Sequence, residues 1–269
     1  MSRLIACVSG KGGTGKTTTC ASLAGALAKR GLRVLVVDMD PQSNLTSGLG
    51  VDPYSLERSV GSLLVDPTLD PTDVILSTEW TKLDLLPATP DLSAIEDDLA
   101  SVVHQEYALR DALRRNAVLE QYDYVLFDTP PSFAFHTINV MAVAQHIIVP
   151  VQMSGFAIKG LKELLRAVYA ARQHLNPELG ILGLLPTFVN VRTTFSRDML
   201  AGLREIPNLR VFETIIAVTV KLQETSLAAV PITSYAPASP ASLAYQSLAS
   251  EVVALLGPAS EGDLPKPQW

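Results

Sequence analysis

The chain has few of the residues that build cross-linked or metal-clustered proteins. Among its 269 residues are only two cysteines, Cys7 and Cys20. Two thiols cannot form a disulfide framework or a four-thiolate metal site. Both cysteines lie in apolar runs, which is typical of small buried side chains. A chain of this length buries roughly three quarters of its unfolded surface, so it needs neither device to fold.

Positive charge is also scarce. Lysine and arginine number 21 against 27 aspartates and glutamates, which gives a formal net charge of −6. This balance excludes a protein whose whole surface attracts nucleic acid, although it allows a local basic face. With 48% hydrophobic and 18% charged residues, the composition is that of a folded chain and not of a disordered one.

Nothing in the sequence indicates export or a membrane span. The first residues lack the pattern of a signal peptide. Residues 129–158 contain no Asp, Glu, Lys or Arg, but three prolines and several polar residues interrupt the run. A spanning helix is therefore not expected there, and the sequence predicts a cytoplasmic protein without a stable membrane anchor.

Short β-branched runs alternate with longer helical patterns, which favours a mostly parallel, twisted sheet with helices on both faces. Strands are predicted at Leu4–Val8, Val34–Asp38, Leu83–Leu86, Tyr124–Asp128, Ile147–Val151 and Ile181–Thr187. Helices are predicted at Lys16–Arg30, Ala94–Val103, Glu106–Leu119, Ile158–His174, Ser196–Glu205 and Ala241–Leu256. Because there is no internal repeat or long linker, we expect a single α/β domain over residues 1–256. Residues 257–269 contain three prolines and are predicted to form a flexible C-terminal tail.

A phosphate-binding loop is predicted between the first strand and the first helix. Residues 10–17 are GKGGTGKT and match the pattern G-x-x-x-x-G-K-[ST]. Its glycines allow backbone N–H groups to converge on phosphate oxygens, and the helix N-terminus adds partial positive charge. Lys16 is expected to reach the β- and γ-phosphates, and the Thr17 hydroxyl to bind Mg²⁺.

Three aspartates follow predicted strands. Asp38 and Asp40 lie at the end of the second strand, and alternation along an extended chain places both on the crevice side. Asp128 ends the strand 124–128 and is a candidate for holding Mg²⁺. On the residues alone, Asp38 and Asp40 also fit a helix cap, and Lys11 fits an ordinary solvated side chain.

Several motifs resemble those of one family. Residues 11–18, KGGTGKTT, are similar to the deviant Walker A motif of the ParA/MinD superfamily. Residues 38–44, DMDPQSN, resemble the corresponding motif of the ParA/Soj partition branch, as do LLPATPDL at 85–92 and DTPPS at 128–132. The similarity extends from about residue 4 to residue 256.

The resemblance implies a single-domain P-loop NTPase fold, ATP and Mg²⁺ as cofactors, and a weak ATPase activity. It further implies an ATP-bound homodimer that binds double-stranded DNA non-specifically on the nucleoid. Hydrolysis would be stimulated by a ParB-like partner protein, and the function would be partition of a chromosome or plasmid.

The resemblance also assigns roles to residues. Asp40 would position the hydrolytic water, Lys11 would contact phosphates held by the other subunit, and Lys16 would act on the bound phosphates. Nucleotide contacts are expected from Lys11, Gly12, Gly13, Thr14, Gly15, Lys16, Thr17 and Thr18, and from Asn190 for the base. Thr17 and Asp128 would hold Mg²⁺, with Asp38 in support of the metal site.

The resemblance alone does not establish DNA binding, because the chain departs from the Soj pattern in places. The expectation of DNA binding therefore depends on how charge is distributed along the chain. Ser9-Gly10 precedes the loop, residues 216–219 lack an arginine that the branch often has, and residues 225–250 carry no charge. Residues 159–221, however, carry a net charge of +4 in an otherwise acidic chain, which suits a basic face. The candidate phosphate contacts are Arg192, Arg197, Arg204, Arg210 and Lys221.

Three other functions share this fold. A MinD-like membrane-associated positioning ATPase would need a basic amphipathic helix at the C-terminus, where this chain has an acidic, proline-bearing segment. An iron–sulfur reductase would need cluster cysteines, and Cys7 and Cys20 do not lie at those places. A metabolic ligase would need a substrate site, for which no motif is seen.

Overall fold

A seven-stranded sheet forms the centre of the molecule. The computed structural model describes residues 2–154, 157–228 and 230–257. The strands are β1 (Arg3–Cys7), β2 (Val34–Asp38), β3 (Leu76–Ser77), β4 (Leu83–Leu86), β5 (Tyr124–Asp128), β6 (His146–Gln152) and β7 (Gly180–Thr187). Their order is β3-β4-β2-β5-β1-β6-β7. Only β3 is antiparallel to its neighbour among these strands.

Helices connect the strands and cover the sheet. They are α1 (Lys16–Lys29), α2 (Asn44–Gly48), α3 (Val60–Val65), α4 (Ile95–Asp98), α5 (Ala108–Arg114), α6 (Phe135–Val143), α7 (Ala157–His174), α8 (Thr194–Arg204), α9 (Val220–Ala228), α10 (Ile232–Tyr235) and α11 (Pro240–Leu256). Four short 3-10 segments lie at Pro71–Asp73, Pro90–Ala94, Gln105–Tyr107 and Arg115–Gln121.

Alternation along each strand divides the core into two layers. Ile5 of β1 and Val36 of β2 face one layer, which α1, α10 and α11 complete. Leu4 of β1 and Val37 of β2 face the other layer, which contains residues of α3, α5, α6 and α7. Both faces of the sheet are therefore buried, and this explains why the strands are nearly continuous apolar runs. The predicted fold class is confirmed.

The six predicted strands are present, but several elements were missed. The helix α6 gave no periodic signal because eight of its nine residues, including Phe135 and Asn139, are buried, so no polar face marks it. The helices α2, α3, α9 and α10 and the strand β3 are too short for a pattern to be read from the sequence.

Two predicted helices are wrong over part of their length. In place of Ala94–Val103, only Ile95–Asp98 is α-helical. In place of Glu106–Leu119, α5 ends at Arg114, and Asn116 and Ala117 then adopt positive φ angles of 49° and 50°, which end a right-handed helix.

A tertiary contact lies next to that break in the chain. The guanidinium of Arg115 donates hydrogen bonds to the carbonyl groups of Leu63, Asp66 and Leu69. These acceptors lie in and after α3, about fifty residues earlier in the sequence, so no local pattern could reveal the contact.

A hydrogen bond connects the C-terminal end of the described chain to β5. The helix α11 ends at Leu256, as predicted, and the carbonyl of Gly257 accepts a hydrogen bond of 3.1 Å from the Tyr124 hydroxyl. The rest of the predicted tail, residues 258–269, lies outside the described residues. Within those that are described, no helix is long and apolar enough to cross a membrane.

Candidate functional site

The loop between β1 and α1 has the backbone of a phosphate-binding loop. Gly13 and Gly15 have φ angles of 73° and 90°, in the left-handed region where a side chain is strained. Gly15 immediately precedes α1, so the free N–H groups of the first helical turn open toward the loop. An anion placed there would meet both these donors and the positive end of the helix dipole.

Lys16 lies inside this loop. Its residue is only 6% exposed, and its ammonium donates a hydrogen bond of 3.5 Å to the carbonyl of Lys11. Burial lowers the pKa of Lys16, and the negative charges of Asp128 and Asp40 act in the opposite direction. The cation is therefore held between the loop and the carboxylates at the strand ends.

Lys11 has a different environment. Its side chain is exposed, and its ammonium donates a hydrogen bond of 3.3 Å to Oε1 of Gln152 at the end of β6. With Thr14, it borders a depression on the β6 side of the loop. Lys11 is thus a cation on the outer surface of the loop, whereas Lys16 is enclosed by the loop.

Asp38 and Asp40 do not both face the crevice, and this expectation is corrected. Asp38 is fully buried; one of its oxygens accepts hydrogen bonds from the N–H and the hydroxyl of Thr46, at 2.9 and 2.8 Å. Its other oxygen accepts a bond of 3.1 Å from the N–H of Asp40. Burial raises the pKa of Asp38 to about 6, and the bonds from Thr46 and Asp40 oppose the shift. Because Asp38 binds both Asp40 and Thr46, it holds the two ends of the segment 40–46 close to each other.

Asp128 lies next to Asp38 in the register of β5 and β2. It is fully buried, and within the described part of the chain neither carboxylate oxygen has a hydrogen-bond partner. Burial and then the negative charge of Asp38 raise the pKa of Asp128 to about 8, while the nearby Thr17 hydroxyl and Lys16 act to lower it. A buried carboxylate without donors, close to a threonine hydroxyl, fits a hard divalent cation such as Mg²⁺.

One cleft of about 530 Å³ brings most of the predicted residues together. Asp40 lines it and accepts a hydrogen bond of 3.0 Å from the N–H of Gln42. The predicted nucleotide contacts that line the cleft are Gly12, Gly13, Gly15, Lys16, Thr17 and Thr18. The cleft therefore joins the phosphate-binding loop to a carboxylate positioned by the β2–α2 segment.

A second cleft of about 150 Å³ continues from the loop and is lined largely by apolar side chains. Its walls include Gly15, Thr18, Phe188, the segment 216–219 and Tyr245. The hydroxyl of Thr187, at the end of β7, donates a bond of 2.9 Å to the carbonyl of Thr14, and so connects this cleft to the loop. Its apolar lining suits a planar nucleobase.

Asn190 does not line either cleft. It is exposed, and its side-chain oxygen accepts a hydrogen bond of 3.2 Å from the N–H of Arg192. The residue of this loop that does line both clefts is Phe188, which sequence reasoning missed. The only available signal was its position directly after a parallel strand, where ligands of such sheets bind.

Comparison with known proteins identifies the family. Residues 2–181 match the family described as AAA domain. The chain is 39% identical to the sporulation initiation inhibitor protein Soj of Bacillus subtilis, covering 94% of this chain and 99% of that protein. It is 43% identical to the chromosome-partitioning ATPase Soj of Thermus thermophilus, covering 94% and 96% respectively. The chain belongs to the ParA/Soj family of ATPases.

Solved structures agree with a P-loop NTPase fold. The cobyrinic acid a,c-diamide synthase of Mycobacterium smegmatis, solved with an ATP analogue and magnesium, is 36% identical with a TM-score of 0.84, and the match covers 94% of both chains. MinD of Pyrococcus horikoshii, solved with Mg-ADP, is 25% identical with a TM-score of 0.73, covering 94% of this chain and 96% of that one. The P-loop fold expected from the resemblance is therefore confirmed.

The basic residues that were candidates for DNA contact in this ParA/Soj-family chain are all exposed, but they are not equivalent. Arg204 forms an ion pair of 2.9 Å with Glu213, and Lys221 one of 2.7 Å with Glu224. Arg197 donates to the hydroxyl of Thr194. Arg192 and Arg210 form no ion pair with any residue that the structure describes.

Proposed function

We propose that this ParA/Soj-family ATPase binds ATP with Mg²⁺ and acts as a DNA-partition switch. The ATP-bound homodimer binds duplex DNA without sequence preference in the cytoplasm, on the nucleoid, and hydrolysis stimulated by a ParB-like partner resets it. The proposal rests mainly on one observation: at one end of the sheet, a glycine-rich loop and the carboxylate of Asp40 share a cleft, and Asp128, buried without a hydrogen-bond partner among the described residues, lies close to Thr17 and Lys16. Similarity to the Soj proteins supports it.

In this proposal the loop and Lys16 hold the phosphates. The backbone N–H groups and the enclosed ammonium supply positive charge from several directions, which is how phosphate-binding loops act. Thr17 and Asp128 hold Mg²⁺, and Asp38 supports them from the neighbouring strand. When bound, Mg²⁺ neutralises charge on the phosphate oxygens.

Asp40 is proposed to orient the attacking water. It lines the cleft with Lys16 and Thr17, and its position is set by the hydrogen bond from its N–H to Asp38. Because Asp38 also binds Thr46, the segment that carries Asp40 is held at both ends. Asp40 can therefore receive a water without a large rearrangement.

Lys11 is proposed to connect the two subunits. Its ammonium is exposed and, among the described residues, forms one hydrogen bond, to Gln152, so little is lost when it moves to a phosphate held by the partner subunit. Dimerisation and ATP binding are then linked, since each increases the affinity of the other by the same factor.

Size-exclusion chromatography and calorimetry on three variants test the proposal. Lys16→Ala should lose ATP binding by at least about a hundredfold, since it removes a charge-assisted phosphate contact in a buried loop. Asp40→Ala should still bind ATP and should accumulate as a dimer. Lys11→Ala should bind ATP and remain monomeric.

Lys162→Ala, which removes an exposed lysine of α7, is the matched control and should behave like the wild type. Unchanged ATP affinity in Lys16→Ala would exclude the loop as the nucleotide site. A monomeric Asp40→Ala together with a dimeric Lys11→Ala would show that the two roles are assigned wrongly. Co-sedimentation of the ATP form with liposomes instead of DNA would favour a MinD-like function.

A further inference from the structure

The segment 210–218 runs beside β7 as an irregular extra strand. Parallel bridges join Leu184 to Val211 and Val189 to Ala217. The N–H of Phe212 donates to the carbonyl of Leu184 at 2.9 Å, and the N–H of Ile216 donates to that of Pro186 at 2.8 Å. The residues 213–215 therefore stand opposite Leu185 alone, and this bulge interrupts the ladder of hydrogen bonds.

A carboxylate from α11 satisfies the backbone groups of this bulge. One oxygen of Glu251 accepts a hydrogen bond of 2.9 Å from the N–H of Glu213. Its other oxygen accepts bonds from the N–H and the hydroxyl of Thr214, at 2.8 and 2.5 Å. The N–H groups of Glu213 and Thr214 have no partner in the β ladder, and Glu251 accepts their hydrogen bonds instead. Hydrogen bonds to an ionised acceptor are stronger than neutral ones.

The bulge leads directly into the wall of the apolar cleft. Residues 216–219 line that cleft on one side, and Gly15 and Thr18 line it on the phosphate side. Tyr245, also on α11, lines it as well, and its hydroxyl lies 3.3 Å from that of Thr19 on α1. The helix α11 thus supports the cleft at two points: Tyr245 contacts α1, which follows the phosphate-binding loop, and Glu251 holds the bulge that precedes the wall.

The side chains of the wall carry no charge, and three of the four, Ile216, Ala217 and Val218, are apolar, so they offer a base mainly apolar contact. Ile216 is a buried part of this wall, and Val218 is 59% exposed. Such a wall binds a planar ring only when its backbone is held at the right distance from the opposite side. The bonds from Glu251 fix the backbone at 213–214, directly before the wall begins.

We propose that Glu251 is a positioning residue for the nucleobase: by holding the bulge at 213–214 it sets the wall at 216–219 and so determines how tightly the base binds. The inference rests on the proposed function, because it takes the ligand to be a nucleotide. Among the described residues, Glu251 forms its hydrogen bonds with Glu213 and Thr214 and does not line the cleft at the phosphate-binding loop, so we expect the phosphate contacts to be independent of it.

The test compares a ligand that has a base with one that has only phosphates. Calorimetry with Mg·ATP and with Mg·tripolyphosphate is carried out on the wild type, Glu251→Ala and Glu251→Gln. In Glu251→Ala we expect the ATP affinity to fall about tenfold, which is the size of effect for the loss of hydrogen bonds to a charged group. The tripolyphosphate affinity should change less than about twofold.

Glu251→Gln keeps the size of the side chain and one accepting oxygen, so its ATP affinity should lie between those of the wild type and Glu251→Ala. If Glu251→Ala does not fold, Glu251→Gln and Thr214→Val, which removes only the hydroxyl bond, provide the same comparison. Glu120→Ala removes an exposed glutamate at the other end of the sheet and should affect neither ligand.

Equal loss of both ligands in the Glu251 variants, or no change in either, would overturn the inference. The failure of the proposed function is distinguishable, since the wild type itself would then not bind ATP. Binding of ATP by the wild type together with unchanged binding in the Glu251 variants would refute the role of Glu251 alone.

Discussion

At the scale of single residues, the aspartates of the site differ through their hydrogen bonds and not through their exposure. Asp38 and Asp128 are both fully buried and adjacent in the sheet. Asp38 accepts three hydrogen bonds, whereas in the described structure Asp128 accepts none. Burial therefore raises the pKa of Asp128 further, to about 8, than that of Asp38, to about 6. One carboxylate supports the loop, and the other is available to a cation.

The raised pKa of Asp128 predicts a pH dependence of stability in the absence of metal and nucleotide. Because the folded pKa of about 8 exceeds the ordinary aspartate pKa of 3.8, the stability of the wild type falls as the pH rises from about 4 to about 8. Asp128→Asn cannot ionise and avoids this loss. Its Tm in EDTA should exceed that of the wild type by at least about 3 °C at pH 8, and by less at pH 5.

Asp97→Asn, which changes an exposed aspartate of α4, is the control and should show no such divergence. Thermal denaturation followed by circular dichroism at the two pH values measures the difference. Equal Tm values for Asp128→Asn and the wild type at both pH values would mean that Asp128 is hydrated or paired in solution.

At the scale of elements, the packing of β7 against the extra strand 210–218 supports the apolar cleft. Gly183 of β7 lies against the ring of Phe212, which is fully buried. A Cβ atom at Gly183 would lie 2.7 Å from the nearest ring carbon, closer than side-chain contacts allow. Because Gly183 has no side chain, the segment 210–218 can lie close against β7. This close approach places the bulge at 213–215 within reach of the Glu251 carboxylate.

Gly183→Ala should therefore destabilise the protein by about 1–3 kcal/mol, the range for overpacking a core. The contrast is Gly202→Ala within α8, where a Cβ atom would meet nothing within 4 Å. That change should stabilise the protein by about 0.5–1 kcal/mol, because alanine favours a helix interior over glycine. Urea denaturation gives both values, and a Gly183→Ala protein as stable as the wild type would show that Phe212 moves away at little cost.

At the scale of the whole molecule, charge separates the chain into a basic segment and an acidic remainder. Residues 159–221 carry +4 although the chain carries −6. Ion pairs within the fold reduce what this segment offers to a partner, because Arg204 and Lys221 are paired with Glu213 and Glu224. A monomer therefore presents few cations, and the proposed ATP-bound dimer would double their number, from which we expect DNA binding to depend on ATP.

Gel-shift titrations with duplex DNA at several salt concentrations test this expectation. If the ATP dimer neutralises about four to six phosphates, the logarithm of affinity should fall with the logarithm of salt at a slope of about −4 to −5. Arg192→Ala should flatten the slope by about two units, one for each subunit, for all DNA sequences.

Arg204→Ala is the matched arginine control, and it should flatten the slope less because its guanidinium already binds Glu213. Binding that is independent of salt, or equal with ADP and ATP, would mean that the basic segment is an ordinary solvated surface. The switch would then act on a different partner.

Local sequence patterns were enough to predict much of the fold and of the candidate site. The loop 10–17, the aspartates after the strands and the six main strands could be located from the sequence, because each depends on neighbouring residues or on alternation within one element. The family resemblance added the roles proposed for Lys11 and Asp40, because spacing alone could not distinguish these residues from a solvated lysine and a helix cap.

Only the tertiary structure decided the features that depend on residues distant in sequence. Asp128 has no hydrogen-bond donor among the described residues because the neighbouring strands β1 and β2 place none beside its carboxylate. Arg204 forms its ion pair because the chain turns back and brings Glu213 next to it. The wall of the apolar cleft is held by Glu251 from the last helix. A carboxylate so far along the chain carries no local signal of its partners, since only the packing of α11 beside the bulge brings them within hydrogen-bond distance.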